Sequence, residues 1–445
     1  MAGSVFDSAM FSKLFPTGEI GRLFTDSAEL RAMLLVEGML AKVQGDLGVI
    51  PAESAQAITR AAMEVQLDPG ALAQATGENG VSVPALVAAF RAEMQAPEHA
   101  AFVHWGATSQ DIIDTGLMLR LRQALTLVEK DLTSVLARLS ELAEAHAALP
   151  MPARTYGQHA TPTSFGAVVA GWGAPLLGLL DELPELRRTC LLVSLSGAAG
   201  TSGALGPQAT ETRKALAGLL NLQDPGRSWH TDRTPVLRIG DWLTRATLAL
   251  GKLGEDAIEL TQTGIGEIRL GGSGASSTMP QKQNPVGPSV LVALARQQTG
   301  LFSTLQGAAM HRHQRDGAAW FTEWMCLPQI VLGAGAAGQV ALRLVQGIEP
   351  NAEAMRAALE QNLGLIHAEA LSFELARHMP RPEAQATTKA LCREAVETGT
   401  PLRDVVARAW PQIDTATLFD PAEQLGLAPE EARSFARRVT ERSKE

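Results

Sequence analysis

The longest uninterrupted helical pattern in this chain is TGLMLRLRQALTLVEKDLTSVLARLSELAEAHAA, residues 115–148. After Gly116 it contains neither Gly nor Pro, and Leu or Val recurs every three or four residues. This spacing predicts a single helix of about 34 residues, roughly 50 Å long at ~1.5 Å per residue. Because an average helix in globular proteins has ~11 residues, so long a helix is typical of a helical bundle.

More segments with this pattern follow along the chain. Strand signals are weak, and residues 190–195 carry the best of them. The sequence therefore predicts an all-α fold with three helical domains. The expected domains are an N-terminal one at residues 1–105, a central long-helix bundle at 106–350 and a C-terminal one at 351–445. The further predicted long helices cover residues 167–188, 235–267, 290–311 and 322–347.

The segment VLVALA, residues 290–295, is apolar on nearly every side of its predicted helix. A helix segment of that kind is buried. Since long helices expose more apolar flank than one subunit covers, another copy of this chain is the expected partner.

The composition excludes several classes of protein. Hydrophobic residues make up 46% of the 445 residues and charged residues 19%, which is typical of a globular protein. The net charge is -9 without a basic block, so binding to nucleic acid or to a membrane surface is not expected. Three widely spaced Cys indicate reduced packing residues. With no signal peptide and no apolar run of ~18 residues, the sequence predicts a soluble, cytoplasmic protein.

A polar loop, GGSGASSTMPQKQNP at residues 271–285, separates two of the predicted long helices. Its glycines give the backbone a wide choice of conformations, and Ser276, Lys282 and Asn284 are groups that can meet an anion. An ordinary Gly/Ser connection is the alternative. The ordered Ser-Ser-x-Met-Pro-x-Lys-x-Asn-Pro run favours a loop that closes over a small anionic substrate.

The segment HWGATSQD, residues 104–111, lies at the start of the longest predicted helix. Thr108 and Ser109 therefore lie at the positive end of a helix, which suits a carboxylate. The alternative for either residue is a simple N-cap, and for His104 a structural histidine.

His159 belongs to a second polar segment, RTYGQHATP at residues 154–162. The ordinary pKa of a histidine, near ~6.5, suits it to donate or accept a proton at neutral pH. A buried structural histidine is the alternative interpretation.

Arg233 and Arg315 lie in two more polar segments, WHTDR at 229–233 and HRHQRD at 311–316. Each is a possible bidentate clamp for a carboxylate, with a surface ion pair as the alternative. His311 and His313 are two residues apart and have no third ligand at suitable spacing, so no metal is expected. Without a P-loop or a G-x-G-x-x-G motif after a strand, no nucleotide cofactor is expected either.

Three motifs together resemble the fumarase/aspartase superfamily. They are the loop at 276–285, H-x-G-A-T-S-Q-D-x-x-D-T at 104–115 and Q-H-A-T-P at 158–162. The resemblance covers nearly the whole chain. Within the superfamily it is most similar to the lactonizing cycloisomerases of protocatechuate (β-ketoadipate) catabolism, through residues 103–111, 229–231, 277–280, 284–287 and 320–324.

This resemblance implies a homotetramer whose active sites are shared between subunits. It implies that Ser276 is the catalytic loop serine and His159 the acid/base histidine. Substrate-binding roles are implied for the other matched positions, which are His104, Thr108, Ser109, Lys282 and Asn284.

Ser289 marks a departure from the superfamily. Fumarases and adenylosuccinate lyases carry at this position a Glu that orients the histidine, and Ser289 has no carboxylate. Lactone formation needs only one proton, delivered to carbon, so this site favours cycloisomerisation of a tricarboxylate over elimination. Glu267 or Glu323 are possible replacements for the missing Glu. The alternatives are adenylosuccinate lyase or another fumarate-releasing lyase, and a non-catalytic structural member of the fold.

Overall fold

The computed structural model describes residues 3–271, 274–275 and 282–444, with 274–275 described by their backbone alone. Ser276, the expected catalytic serine, lies outside the described residues. Helices account for most of this part of the chain, which confirms the all-α prediction.

Five long helices match the five predicted ones, and each begins between one and six residues earlier than expected. In chain order the helices are α1 Gly18–Leu23, α2 Asp26–Asp46, α3 Ala52–Glu64, α4 Ala73–Asn79, α5 Val83–Glu93, α6 Pro97–Ala100, α7 Ser109–Ala145, α8 Phe165–Cys190, α9 Ala209–Leu220, α10 Thr234–Leu260, α11 Val286–Gly307, α12 Gly317–Gln346, α13 Ala352–Glu360, α14 Ala368–Leu375, α15 Arg381–Thr398, α16 Leu402–Ala409, α17 Thr415–Leu418 and α18 Ala428–Arg442. The long ones are α7, α8, α10, α11 and α12.

Short strands form three antiparallel pairs within the described residues. The longest pair is a hairpin whose turn, Tyr156-Gly157, has positive φ at both residues, 52° and 71°. The strands are β1 Pro150–Thr155 with β2 Gln158–Ser164, β3 Ile268–Leu270 with β6 Ile348–Pro350, and β4 Gly274–Ala275 with β5 Gln283–Asn284.

The best of the weak strand signals, at residues 190–195, does not correspond to a strand in the structure. Cys190 ends α8, and Leu192 makes only an isolated bridge with Gln223. The segment is buried, and its backbone hydrogen bonds go to several partners. The Val193 N–H donates to the Gln223 carbonyl and the Gln223 N–H donates to the Leu191 carbonyl. At Ser194 a side chain takes both bonds: the Thr115 hydroxyl donates to the carbonyl and accepts from the N–H. The apolar composition of this segment therefore corresponds to its burial, and its strand pairing is limited to one bridge.

The chain divides into two compact units. Unit 1 comprises Met1–Asp131, Leu179–Leu248 and Ala293–Val340, and unit 2 comprises Leu132–Gly178, Ala249–Val292 and Ala341–Glu445. Each unit contains one part of each of the five long helices, and all three strand pairs belong to unit 2. The division into three domains along the sequence stays a prediction.

Residues 290–295 are buried, as predicted, apart from Ala293. The burial is provided by the chain itself, since the other five side chains are at most 8% exposed in a single copy. The inference that a second copy covers this segment is therefore wrong. Large apolar side chains that stay exposed lie elsewhere, among them Phe321 and Met325 on α12.

Within the described residues, two helices are long and apolar enough, by length and composition, to cross a membrane. They are α8 and α12, and 56% and 67% of their most apolar 18-residue windows are buried inside the protein. Core helices of soluble proteins have these properties as well, so length and composition do not indicate a membrane span here.

Candidate active site

A tight turn before α7 positions His104. His104 and Gly106 both have positive φ, 64° and 74°. A Cβ atom at Gly106 would lie 2.6 Å from Leu205 Cδ2, so a glycine is required on steric grounds as well. Gln44 Nε2 donates to the Trp105 carbonyl at 2.8 Å, which holds the turn from outside.

His104 is paired with a carboxylate that the sequence analysis did not identify. Its Nδ1 lies 2.6 Å from Glu37 Oε1, and the Glu37 side chain is fully buried on α2. Burial alone would lower the pKa of His104, but the hydrogen bond and charge of Glu37, together with the charge of Asp111, raise it above its ordinary value. His104 is therefore suited to carry a positive charge toward an anion.

Thr108 and Ser109 lie where α7 begins. The Thr108 N–H donates to Asp111 Oδ2 at 3.0 Å and the Asp111 N–H donates to the Thr108 carbonyl, so Asp111 caps the helix. In the described structure no hydrogen bond engages either hydroxyl group. Both hydroxyls thus stay available at the positive end of a 37-residue helix.

Asp111 is a buried carboxylate that gathers donors from three segments of unit 1. His230 Nε2 lies 2.8 Å from its Oδ1. The other donors are the Ser194 hydroxyl and Ser196 N–H on Oδ1, at 3.1 and 2.9 Å, and the Gly197 and Thr108 N–H groups on Oδ2, at 2.9 and 3.0 Å. Such a set of donors stabilises the ionised carboxylate.

The two predicted arginine clamps differ in the structure. Arg233 is 1% exposed, and its guanidinium donates to Asp114 and to Glu323 over distances of 2.7–3.0 Å. This geometry does not support a substrate clamp, because the ion pairs occupy the guanidinium. Arg315 Nε donates to Gln110 Oε1 at 2.8 Å, and its Nη2 is buried with no partner among the described residues. Of these two arginines, Arg315 is therefore the one with an N–H donor available for a substrate carboxylate.

His159 lies on β2 of unit 2, opposite Arg154 on β1. Arg154 binds the buried Glu267 in a bidentate ion pair, with N–O distances of 2.6 and 2.8 Å. Burial and the Arg154 charge lower the pKa of His159, and the Glu267 charge offsets this only in part. His159 is therefore neutral at pH 7.

The two carboxylates considered as replacements for the missing Glu are both engaged in ion pairs. Glu267 accepts from Arg154, and Glu323 accepts from Arg233. Ser289 lies in the first turn of α11, where its hydroxyl donates to the Pro285 carbonyl at 2.9 Å. The replacement of that Glu by another carboxylate stays a prediction.

The base of the polar loop is a short antiparallel ladder in unit 2. Gly274 pairs with Asn284 and Ala275 with Gln283. Lys282 beside this ladder is exposed and Asn284 is half-buried.

Sequence-predicted site residues thus fall into two sets. Unit 1 contains His104, Thr108, Ser109, Arg233 and Arg315, and unit 2 contains His159, Lys282 and Asn284. Among the described residues, no group of three or more His, Cys, Asp or Glu side chains is placed to hold a metal ion.

Sequence reasoning missed the carboxylates of this site. Glu37 partners His104 and Asp111 partners His230, and one signal in the sequence pointed to Glu37. Glu37 is a charged residue inside an apolar helical stretch, where burying a carboxylate without a partner would cost free energy.

A family model described as lyase matches residues 16–300 of the chain. The chain belongs to this lyase family, and the resemblance to the fumarase/aspartase superfamily is confirmed.

Relatives make the comparison more specific. The chain is 39% identical to 3-carboxy-cis,cis-muconate cycloisomerase of Pseudomonas aeruginosa, with 94% of each sequence covered. It is 36% identical to nitrosuccinate lyase of Streptomyces davaonensis, covering 96% of this chain and 94% of that one. The crystal structure of 3-carboxy-cis,cis-muconate lactonizing enzyme from Pseudomonas putida superposes with a TM-score of 0.92 at 36% identity, covering 98% of this chain and 100% of that chain.

Proposed function

We propose that this protein is a cycloisomerase that converts 3-carboxy-cis,cis-muconate into carboxymuconolactone, in the protocatechuate branch of aromatic catabolism. The observation that carries this proposal is the similarity to cycloisomerases over almost the full length of both chains, in sequence and in structure. The cytoplasm is the proposed location, since the relatives with this name are metabolic enzymes.

The substrate is a tricarboxylate, and each unit supplies groups that bind carboxylates. In unit 1 these are Arg315, the hydroxyls of Thr108 and Ser109 at the start of α7, and His104 with its raised pKa. Lys282 and Asn284 are proposed as the substrate-binding pair of unit 2. Cations and helix dipoles arranged in advance stabilise the negative charge that develops on the reacting substrate.

Chemistry begins when one substrate carboxylate adds to the double bond. The addition gives an aci-carboxylate, an enediolate-like species, which the cationic pocket stabilises. A proton is then delivered to carbon by His159 or by Ser276. Because its pKa is lowered, His159 is neutral at pH 7 and must first take up a proton to serve as the acid.

A homotetramer with active sites shared between subunits completes the proposal. The superfamily resemblance implies it, and the exposed apolar side chains on α12 support it. Such an assembly would build each active site from segments of more than one copy of the chain.

The second candidate is a fumarate-releasing or related lyase on the same fold. The 36% identity to nitrosuccinate lyase supports this second candidate. Adenylosuccinate lyase is another alternative of the same class. The absence of a carboxylate at Ser289 argues against it. A non-catalytic protein is disfavoured, because Ser276, Lys282 and Asn284 are all present.

The decisive experiment is to mix the purified protein with 3-carboxy-cis,cis-muconate and to follow the loss of diene absorbance. We expect a catalytic rate that is first order in enzyme and a lactone product. Turnover of nitrosuccinate or adenylosuccinate, without turnover of the muconate, would overturn the proposal.

Replacing Ser276 by Ala tests the loop. We expect kcat to fall by about 100-fold or more, the range that acid/base groups contribute, with the melting temperature little changed. Ser289→Ala is the matched control, because its hydroxyl bonds only to the Pro285 carbonyl within the described structure. If Ser276→Ala keeps its activity, the loop serine is not an acid/base group.

A further inference from the structure

His230 is a buried histidine that neither the sequence analysis nor the proposed mechanism assigns to the chemistry. It is 3% exposed and lies in unit 1, a few residues before α10. Two hydrogen bonds fix its segment: Trp229 Nε1 donates to the Val193 carbonyl at 2.9 Å, and Gln110 Nε2 donates to the His230 carbonyl at 2.8 Å. The position of the ring is therefore defined by packing and by hydrogen bonds on both sides.

Asp111 fixes the tautomer of this histidine. Its carboxylate accepts from His230 Nε2 at 2.8 Å and from the backbone and hydroxyl donors described above. An ionised carboxylate is an acceptor only, so His230 Nε2 carries the hydrogen. Nδ1 is then the nitrogen that gains or loses a proton.

His230 Nδ1 is buried and has no hydrogen-bond partner in the described part of the chain. Buried polar nitrogens without a partner are uncommon in folded proteins, and they often mark functional positions. A carboxylate that orients a histidine, whose second nitrogen remains unpaired, is the arrangement that acid/base catalysis requires.

His230 is also tied to the carboxylate-binding groups. Asp111 accepts from the Thr108 N–H at 3.0 Å as well as from His230, so Thr108 and His230 donate to the same carboxylate. Gln110 donates to the His230 carbonyl and accepts from Arg315 Nε at 2.8 Å. The histidine therefore belongs to the same hydrogen-bonded network as the groups proposed to bind the substrate.

We propose that His230, oriented by Asp111, is an acid/base residue of the active site that exchanges a proton with the substrate through Nδ1. This inference rests on the proposed function. In the lactonizing direction the Nδ1–H bond of the imidazolium breaks and a C–H bond forms at the aci-carboxylate. The electron pair of the enediolate makes the new C–H bond, and the ordinary carboxylate is restored. The neutral ring keeps Nε2–H toward Asp111, and a solvent proton returns to Nδ1.

His230 differs from His159 in its electrostatic surroundings. A carboxylate contacts the His230 ring directly, whereas His159 lies opposite Arg154, whose charge opposes protonation. The contact with Asp111 orients the His230 ring and makes Nε2 the hydrogen-bond donor, so Nδ1 is the nitrogen left for exchange with the substrate. His230 is thus a third candidate proton donor beside His159 and Ser276.

The test uses His230→Gln in the full-length protein. A glutamine side-chain amide can still donate to Asp111, but it has no group that titrates near neutral pH. We expect kcat to fall about 100-fold or more with KM changed less than about threefold, and the pH profile of kcat to lose one limb. His378→Gln, on an exposed histidine, is the matched control and should behave as wild type.

A structural role predicts different outcomes. Near wild-type kcat with an unchanged pH profile and a lower melting temperature would overturn the proposal. If His230→Gln does not fold, His230→Ala with added imidazoles is the second test. Rescue whose rate follows the pKa of the added azole supports proton transfer, and the absence of such a dependence contradicts it.

Failure of the proposed function is distinguishable from failure of this inference. The wild-type assay with 3-carboxy-cis,cis-muconate tests the function by itself. If the wild type instead acts on nitrosuccinate or adenylosuccinate, the same variants are measured with that substrate. Loss of the pH limb in His230→Gln then still supports the acid/base role, and its retention contradicts it.

Discussion

Arg233 illustrates how one residue's role follows from its surroundings. It is fully buried between two buried carboxylates, those of Asp114 and Glu323. Its guanidinium also lies over the Trp229 ring, 4.8 Å from the ring centroid. Removing one member of such a buried ion-pair group destabilises the folded protein, because the remaining charges are left unpaired away from water.

Replacing Arg233 by Met is expected to destabilise the protein by about 3–5 kcal/mol, since two buried carboxylates lose their cation. Arg245→Met is the matched control: this exposed arginine pairs with Glu182 and Asp241, and its loss should cost about 0–1 kcal/mol. Urea denaturation followed by circular dichroism measures both. A stable Arg233→Met with a strongly raised KM would restore the substrate-clamp interpretation.

The pair of His104 and Glu37 predicts a pH dependence of stability. The folded-state pKa of His104 is raised, so its contribution is fully present below the ordinary pKa of ~6.5 and is lost as pH rises through the folded pKa. We expect the melting temperature to exceed that of His104→Gln by more at pH 6 than at pH 8.5. Equal differences at both pH values would contradict the pairing.

At the scale of secondary structure, short turns decide where the site residues lie. The turn at 104–106 places His104 beside α2, and the Tyr156-Gly157 turn places His159 opposite Arg154. Helix caps contribute as well: the Thr25 hydroxyl oxygen caps α2 by accepting from the Ala28 N–H. Left-handed dihedral angles at these two turns therefore set the positions of His104 and His159, while similar angles elsewhere in the described chain serve ordinary turns and helix ends.

Gly106→Ala tests the turn before α7. The new Cβ would lie 2.6 Å from Leu205, and the residue would keep a φ of 74°, so the turn must shift and displace His104. We expect kcat/KM to fall at least about tenfold, because small misplacements of positioned groups are costly. Gly218→Ala on α9 is the control, because a Cβ atom added there would have no neighbouring atom within 4 Å. This change should leave kinetics and stability almost unchanged. Wild-type kinetics in Gly106→Ala would show that the turn does not position the site.

At the scale of the whole molecule, large apolar side chains stay exposed on the surface of the single chain. Phe321 and Met325 are four residues apart on α12 and are 40% and 62% exposed. Residues at this spacing lie on one face of a helix, so the two side chains form an apolar patch. Such a patch on a long helix is suited to contact between copies of the chain.

Met325→Glu is expected to weaken the proposed tetramer, because a charge in an apolar interface must be desolvated. Light scattering after size-exclusion chromatography should show smaller species at micromolar concentration. Val396→Glu, on the exposed side of α15 and 60% exposed in the wild type, is the control and should stay tetrameric. An unchanged mass for Met325→Glu would exclude this patch from the interface.

The sequence by itself determined the helical architecture and the family. The spacing of Leu and Val along α7 is a local property, and so are the motifs around Thr108, His159 and Lys282. The sequence also identified most side chains that can bind an anion, because their charge and hydrogen-bonding groups depend on residue type alone.

Only the tertiary structure decided which of these groups are paired. Arg233 and Arg315 look alike in sequence, yet ion pairs occupy the first while the second keeps a buried donor without a partner in the described chain. Glu37 and His104 are 67 residues apart, and Asp111 and His230 are 119 apart. Hydrogen bonds over such separations depend on how helices pack, and no local pattern in the sequence encodes that packing.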